Sequence, residues 1–348
     1  MNVPRVGISA CLLGRNVRYD GGHRREVFFA DRLGAHVEWV PICPEEEIGL
    51  GTPRSRIDLW QSASAVEPRM IQDGRDITNR MEKYARRRLS DPDVAGSVSG
   101  GGVAQAAPDE ETSGSWAPLC GYVFKARSPS CGIRDVRLLM QEGTVREDGV
   151  GLFARAFHER YPETPIFDEA VFADPYASEA AVTALFTMHR WQRAGKGGGT
   201  TAEFHRTHRT LLLSRDPTAL ARLDRLVGST SDPVAAEETT FAPPDTELRL
   251  RYGRWLAELL QRVPGRRDHE RALAALVDEI GALLPPGGRE GREVRAVAQH
   301  LVRRYPGESD LAGVITALAE LAELHVPGRL QDAYLTPHPA ALSLYRGL

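Results

Sequence analysis

The sequence is poor in cysteine and has no long hydrophobic run. Four cysteines occur in 348 residues, too few for a fold built on disulfides, and widely spaced cysteines in a reducing compartment more often bind metal or take part in chemistry. No apolar stretch approaches the roughly 20 residues that span a bilayer. The N-terminal residues MNVPRVGISACLLG also lack the basic start and apolar core of a secretory signal. We therefore expect a cytoplasmic protein that does not enter the membrane.

The sequence also lacks a strong excess of charge of either sign. Its formal net charge of -3 gives no overall attraction to nucleic acid, although arginine-rich helices at residues 86–88 and 292–304 could form local basic faces. Charge runs of this kind usually face solvent, so nucleic acid is a weakly supported partner. The length of 348 residues and the hydrophobic share of 42% fit a globular protein of two domains.

The first half of the chain alternates strand-like and helix-like segments. Strands are predicted at RVGISA, HVEWVPI, LCGYVFKA and VRLLM, and helices at EVFFADRL and TNRMEKYARRRL. This βαβ order predicts an α/β fold with a parallel sheet covered by helices. Residues 96–115 are rich in Gly, Ser and acids, a composition typical of a surface insertion.

From about residue 178 the apolar residues recur at a spacing of three and four, which predicts an all-α second half. The candidate helices are AEFHRTHRTLLLS, TELRLRYGRWLAELLQRV, DHERALAALVDEIGALL, GREVRAVAQHLVRRY and DLAGVITALAELAEL. The glycine-rich residues 195–199 are the predicted linker. We therefore assign residues 1–194 to the first domain and residues 195–348 to the second.

Three of the cysteines follow predicted strands. Cys11 comes after VGISA, Cys43 after WVPI, and Cys131 after VFKARSPS. The carboxyl ends of parallel strands meet at one edge of a sheet, where ligands bind, so we expect the three thiols to converge. Cys120 lies within the apolar strand LCGYVF and is expected to pack as a small hydrophobic residue.

Three converging thiolates suit either a zinc ion, completed by His or Cys, or an iron-sulfur cluster with one non-cysteine iron. Structural zinc sites usually contain a closely spaced cysteine pair, and the sequence has no C-x-x-C, which counts against zinc. His23 lies near Cys11 in the sequence and is a candidate fourth ligand, although a solvated loop residue is the simpler interpretation.

Acidic and hydroxyl residues accompany two of these cysteines. Glu45 and Glu47 follow Cys43 in PICPEEEIGLG, and a carboxylate near a metal centre can move protons or orient water. Serines at 128 and 130 precede Cys131 in KARSPSCG, and this segment also carries two cations, Lys125 and Arg127. The glycine-containing segments do not match a phosphate-binding loop.

Four strings, SACLLGRNVRYDGGH, PICPEEEIGLGTPRSRIDL, DGRDIT and KARSPSCG, resemble the family of the domain of unknown function 523 (DUF523), which includes the TudS-like thiouracil desulfidases. The resemblance covers roughly residues 5–160. Two further strings, FHRTHRTLLLS and QDAYLTPHPAAL, resemble the companion domain of unknown function 1722 (DUF1722) of YbgA-like fusion proteins. The sequence departs from these fusion relatives at FDEAVFADPYAS, residues 167–178, where they usually carry an acidic, arginine-containing motif.

The resemblance to the desulfidases implies a Rossmann-like first domain and a [4Fe-4S] cluster held by Cys11, Cys43 and Cys131. It also implies that the fourth iron binds the sulfur of a small thiolated substrate, such as a thiouracil-like base, while water attacks the ring carbon. Position within the motifs makes Glu45 the acid/base and Ser128 the substrate-orienting group; Glu47 and Ser130 are the neighbouring alternatives.

Three hypotheses remain open at this stage. The first is a cluster-dependent desulfidase that acts on a thiouracil-like base or a similar small thioamide. The second is a binding or regulatory protein in which the cluster is structural and the helical domain recognises a partner such as nucleic acid. The third is a metal-free thiol enzyme that uses Cys131 as its nucleophile, with Arg127 and Arg134 lowering the pKa of the thiol.

Overall fold

The computed structural model describes residues 3–62, 65–90, 119–228, 245–285, 288–305, 310–342 and 344. It divides into two compact units, Met1–Ala170 and Val171–Leu348. The predicted insertion at residues 96–115 lies outside the described residues. The domain assignment of 1–194 and 195–348 stays a prediction; the compact units divide before helix Pro175–Lys196, because that helix packs against helices of the second unit.

The first unit contains a four-stranded sheet, sheet A, in which every pair of neighbouring strands is parallel. Its order is β2-β1-β5-β8, formed by β1 (Arg5–Ser9), β2 (Glu38–Ile42), β5 (Tyr122–Phe124) and β8 (Ile166–Asp168). Four of the five residues in β1 and all three in β5 are buried, as expected of parallel strands covered on both faces. The predicted α/β class of the first domain is therefore confirmed.

A second four-stranded sheet, sheet B, has mixed direction and the order β4-β3-β6-β7. It contains β3 (Ile57–Gln61), β4 (Val66–Met70), β6 (Val136–Met140) and β7 (Val145–Gly149). The pairs β3/β4 and β6/β7 are antiparallel, whereas β3 and β6 are parallel. The sequence indicated one parallel sheet and did not identify β3, β4, β7 or β8; the antiparallel hairpins form a separate sheet instead.

Helices α2 (Thr78–Ser90) and α3 (Leu152–Arg160) pack against each other beside the core of the first unit. Phe157 of α3 meets the ring of Tyr122 with the centroids 5.1 Å apart. Gly7 of β1 lies so close to the same tyrosine that a Cβ at this position would come within 2.2 Å of the ring. The predicted helix at residues 26–33 is instead a π turn, Phe28–Arg32, followed by a 3-10 turn, Leu33–Ala35, neither with a side-chain cap.

The second unit is helical, as predicted. Its helices are α4 (Pro175–Lys196), α5 (Thr201–Arg215), α6 (Pro217–Gly228), α7 (Asp245–Leu260), α8 (Arg266–Leu283), α9 (Arg289–Arg303) and α10 (Leu311–His325). Helix α5 contacts α4, α6, α7 and α8, and α8 also contacts α9 and α10. Among the described residues, no helix combines the length and the apolar character needed to cross a membrane.

Candidate functional site

The three cysteines that follow strands line one cavity in the first unit, with a volume of about 470 Å³. Cys11 lies in the 3-10 turn Ala10–Leu13, directly after β1, and Cys43 lies between β2 and the one-turn helix α1 (Pro44–Glu47). Cys131 lies in the turn between β5 and β6. Because β1, β2 and β5 are neighbours in a parallel sheet, their carboxyl ends bring the three thiols to the same edge.

The three thiols are buried or half-buried, and none forms a disulfide. Burial raises the pKa of Cys11, an effect that the nearby cations Lys125 and Arg18 oppose. Burial also raises the pKa of Cys43 to about 11. Each cysteine lies close enough to another for their charges to interact, so the three thiols form one electrostatic cluster.

Cys131 is the most deeply enclosed of the three. Burial raises the pKa of its thiol well above the ordinary value, while a hydrogen bond with Ser9 opposes this rise. Ser9 is the last residue of β1, the strand that precedes Cys11, and it accepts a hydrogen bond from the backbone N–H of Lys125 at 2.9 Å. Arg134, which was expected to lower this pKa, instead pairs with the buried carboxylate of Asp168 at 3.0 Å. This arrangement argues against Cys131 as a metal-free nucleophile, because the neutral thiol is a poor one.

A carboxylate fixed on both of its oxygens lies at the cavity wall. Arg54 donates two hydrogen bonds to Oε2 of Glu45, from Nε at 3.0 Å and from Nη2 at 2.7 Å. The hydroxyl of Ser130 donates to Oε1 of Glu45 at 2.9 Å. The Arg54 side chain is 4% exposed and that of Glu45 is 13% exposed, so the pair is largely shielded from water. Arg54 also contacts the segment that follows Cys11, because its Nη2 donates to the carbonyl of Val17 at 2.9 Å.

The structure distinguishes Glu45 and Ser128 from their neighbours in the sequence. Both line the cavity. Glu47 accepts hydrogen bonds from the backbone N–H of Cys43 at 3.2 Å and from the hydroxyl of Tyr84 at 2.8 Å. It therefore stabilises the segment around Cys43 without lining the cavity. Ser128 Oγ accepts the backbone N–H of Cys131 at 3.1 Å, and Ser130 is 1% exposed. Glu45 and Ser128 thus face the cavity, while Glu47 and Ser130 hold the wall.

Positive side chains outnumber acidic ones in the lining of this cavity. Lys125 Nζ pairs with Glu169, whose other carboxylate oxygen accepts the backbone N–H of Ala126 at 2.6 Å. The cationic side chains that line the cavity are Arg18, Arg24, Arg54, Arg56, Lys125, Arg127 and Arg137. Such a wall favours negative charge on the thiols or on a ligand.

Two other candidate residues lie apart from the cavity lining. His23 is exposed, and its Nδ1 accepts the backbone N–H of Arg25 at 3.1 Å. Cys120, two residues before β5, is 1% exposed, consistent with core packing. Within the described residues, no group of three or more His, Cys, Asp or Glu side chains is arranged to hold a single metal ion.

Two residues of the site, Arg54 and Ser9, are not predicted from the sequence. Arg54 occurs in GTPRSRIDL, where no spacing links an arginine to the carboxylate of Glu45. Ser9 is the last residue of β1, and its position two residues before Cys11, at the same strand end, was the available signal.

Comparisons with known proteins find similarity in the first half of the chain. A solved structure described as "[4Fe-4S]-dependent thiouracil desulfidase TudS" is 24% identical, covers 49% of this chain and 93% of that chain, and has a TM-score of 0.33. No curated protein matches the chain. The resemblance of the helical half to the domain of unknown function 1722 stays a prediction. Residues 6–169, which include all the cysteines that line the cavity, match the model of the family described as 2-thiouracil desulfurase.

Proposed function

We propose that the first unit is a [4Fe-4S]-dependent desulfidase that removes sulfur from a thiouracil-like base or a similar small thioamide. The observation that carries this proposal is the convergence of three thiols on one cavity whose wall also presents Glu45. The match of residues 6–169 to the 2-thiouracil desulfurase family supports the same reaction class. The overall change is hydrolytic: a C=S bond becomes C=O, water supplies the oxygen, and sulfide leaves without any electron transfer.

The residues present fit an iron-sulfur cluster. Soft thiolates favour iron-sulfur clusters and zinc, and the three-cysteine set leaves one iron of a four-iron cluster without a protein thiolate. Each of the three thiolates would bind a different iron of such a cluster. We assign Cys11, Cys43 and Cys131 as the cluster ligands, with nearby Lys125 and Arg18 offsetting negative charge.

When bound, the cluster supplies a Lewis-acidic iron that can polarise the C=S group of the substrate. Glu45 acts as the general base that takes a proton from the attacking water. Its carboxylate already accepts three hydrogen bonds from protein donors, and a carboxylate has roughly four acceptor positions. The remaining position lies on Oε1, where a water molecule can donate to it.

Ser128 orients the substrate. Its Oγ accepts backbone N–H groups from Ser130 at 3.3 Å and Cys131 at 3.1 Å. With its oxygen used in this way, its hydroxyl proton is available to donate into the cavity, where a ring oxygen or nitrogen can accept it. Lys125, which is paired with Glu169, lies at the same wall and can donate a hydrogen bond to a substrate group that becomes negative during attack.

The family match favours the desulfidase over the alternative of a binding or regulatory protein with a structural cluster. Nucleic acid recognition by the helical unit has no support in the comparisons.

The test is sulfide release by anaerobically reconstituted protein incubated with 2-thiouracil. We expect iron and acid-labile sulfide in the protein and stoichiometric sulfide and uracil as products. The variants C11A, C43A and C131A should lose iron, whereas the matched control C120A, at a buried cysteine away from the cavity lining, should keep it. A protein that holds the cluster yet releases no sulfide from any thiolated base would refute the reaction.

A further inference from the structure

We propose that Arg54 is a positioning residue that fixes the Glu45 carboxylate so that Oε1, and not Oε2, faces the reacting water. This inference rests on the proposed function, since it assigns a role within the same site. Nε and Nη2 of Arg54 both donate to the same oxygen, Oε2, at 3.0 and 2.7 Å. Two charge-assisted hydrogen bonds on one oxygen use both of its lone pairs.

The other carboxylate oxygen remains available. Oε1 accepts one hydrogen bond, from the Ser130 hydroxyl at 2.9 Å, and so keeps a second acceptor direction. If Glu45 rotated about its last torsion, the fork of Arg54 and the hydroxyl of Ser130 would have to exchange oxygens together. Arg54 therefore both orients the carboxylate and decides which oxygen can receive a proton.

Arg54 is itself held rigidly. Nη1 donates to the carbonyl of Gly51 at 2.9 Å and to the hydroxyl of Thr52 at 3.3 Å, and Nη2 also donates to the carbonyl of Val17 at 2.9 Å. The planar guanidinium makes these bonds in fixed directions, which a lysine ammonium cannot reproduce. The carbonyl of Val17 is in addition 3.7 Å from the sulfur of Cys43. One guanidinium thus ties the base to the loop that contacts a cluster ligand.

The test uses R54K, which keeps the positive charge but loses the fork. We expect iron content to stay at the wild-type level and KM to change little, while kcat falls by about 10²-fold because the base is misdirected. The matched control is R69K: Arg69 makes the same double contact with one oxygen of Glu67, at 3.1 and 2.6 Å, and does not line the cavity. R69K should keep the wild-type kcat.

A double-mutant cycle separates positioning from other roles. If Arg54 acts through Glu45, R54K should cause no further fall in kcat once E45Q is present. An additive loss, a wild-type kcat in R54K, or a loss of activity that only follows a loss of iron would each overturn the proposal. If R54K does not fold, T52V, which removes one anchor of the guanidinium, should lower kcat less and again only when Glu45 is intact.

A second readout does not depend on turnover. In the protein without its cluster, the unfolding free energies of E45Q, R54K and the double variant should show coupling, because the two side chains contact each other directly. Should the wild-type protein release no sulfide, this coupling would still be measurable, so failure of the reaction and failure of the contact can be told apart. Additive unfolding free energies would overturn the structural basis of the inference.

Discussion

The two units bury charged side chains in different surroundings. In the first unit, Glu45 and Arg54 are paired at the wall of a cavity of about 470 Å³. In the helical unit, Glu179 of α4 and Arg215 of α5 are 4.0 Å apart with side chains 1% exposed, and Glu179 also accepts the Thr183 hydroxyl at 2.5 Å. The first pair keeps an acceptor position that faces open space, whereas the second is enclosed by protein. Burial of charge alone therefore does not identify a reactive group.

The largest expected effect is on the reaction rate, when Glu45 of the cavity pair is changed. E45Q removes the proposed base but keeps a side chain of the same size, so kcat should fall by about 10²- to 10⁴-fold, the usual contribution of general acid-base catalysis. Single-turnover sulfide release measures the change, and iron content serves as the control. An E45Q protein with full iron and wild-type kcat would remove Glu45 from the mechanism.

A change in the enclosed pair, Glu179 and Arg215, should alter the stability of the helical unit and leave the reaction rate unchanged. E179Q removes the carboxylate beside the buried charge of Arg215, which keeps only its hydrogen bonds to backbone carbonyls, and we expect this change to lower the free energy of unfolding of the helical unit by about 3–5 kcal/mol. The matched control is E320Q, at an exposed glutamate of α10, which should stay within about 0.5 kcal/mol of wild type. Denaturant unfolding followed by hydrogen exchange of α4 and α5 peptides measures both. Equal stability of E179Q and E320Q would show that the pair contributes nothing.

A smaller effect on stability is expected from a substitution in sheet A, which positions the cysteines. G7A would place a Cβ 2.2 Å from the Tyr122 ring, and such overpacking costs about 1–3 kcal/mol. Because Gly7 lies in β1, the strand that leads into Cys11, iron uptake on reconstitution should also slow. The control G228A, at a position where a Cβ meets nothing within 4 Å, should change neither the unfolding free energy nor iron uptake appreciably.

The sequence predicts the strand-end thiols well because that placement is local: each cysteine follows its own apolar strand. It does not predict β4, which contains a proline, Pro68, or β7, whose residues are exposed until Gly149 and so show no buried face. The contacts of Arg54 with Glu45 and of Ser130 with Glu45 join residues that lie nine and 85 positions apart. Such contacts depend on the register of the fold, which no local pattern encodes.

The enclosed polar groups of the helical unit also differ from those of the cavity in how they should respond to acid. His208 is 5% exposed and accepts a hydrogen bond on Nε2 from Arg190 Nε at 3.0 Å. Its Nδ1 lies 2.9 Å from the carbonyl of Phe204, so the neutral ring with a proton on Nδ1 satisfies both contacts. Burial, followed by the charge of Arg190, lowers the pKa of His208 to about 3.

This depressed pKa sets the sign of the pH dependence. In the unfolded chain His208 is protonated below its ordinary pKa of about 6.5. In the folded protein it is protonated only near pH 3. The stabilisation is therefore complete above about pH 6.5 and falls by about 1.4 kcal/mol per pH unit below it. H208Q keeps a neutral acceptor for Arg190, so its unfolding free energy should decline less steeply between pH 6.5 and 4.5, measured by urea unfolding with hydrogen exchange of α5 peptides. The same slope in both proteins would mean that His208 is protonated in the folded helical unit over this pH range. His208 and Arg190 would then be accessible to solvent, as the side chains that line the cavity are.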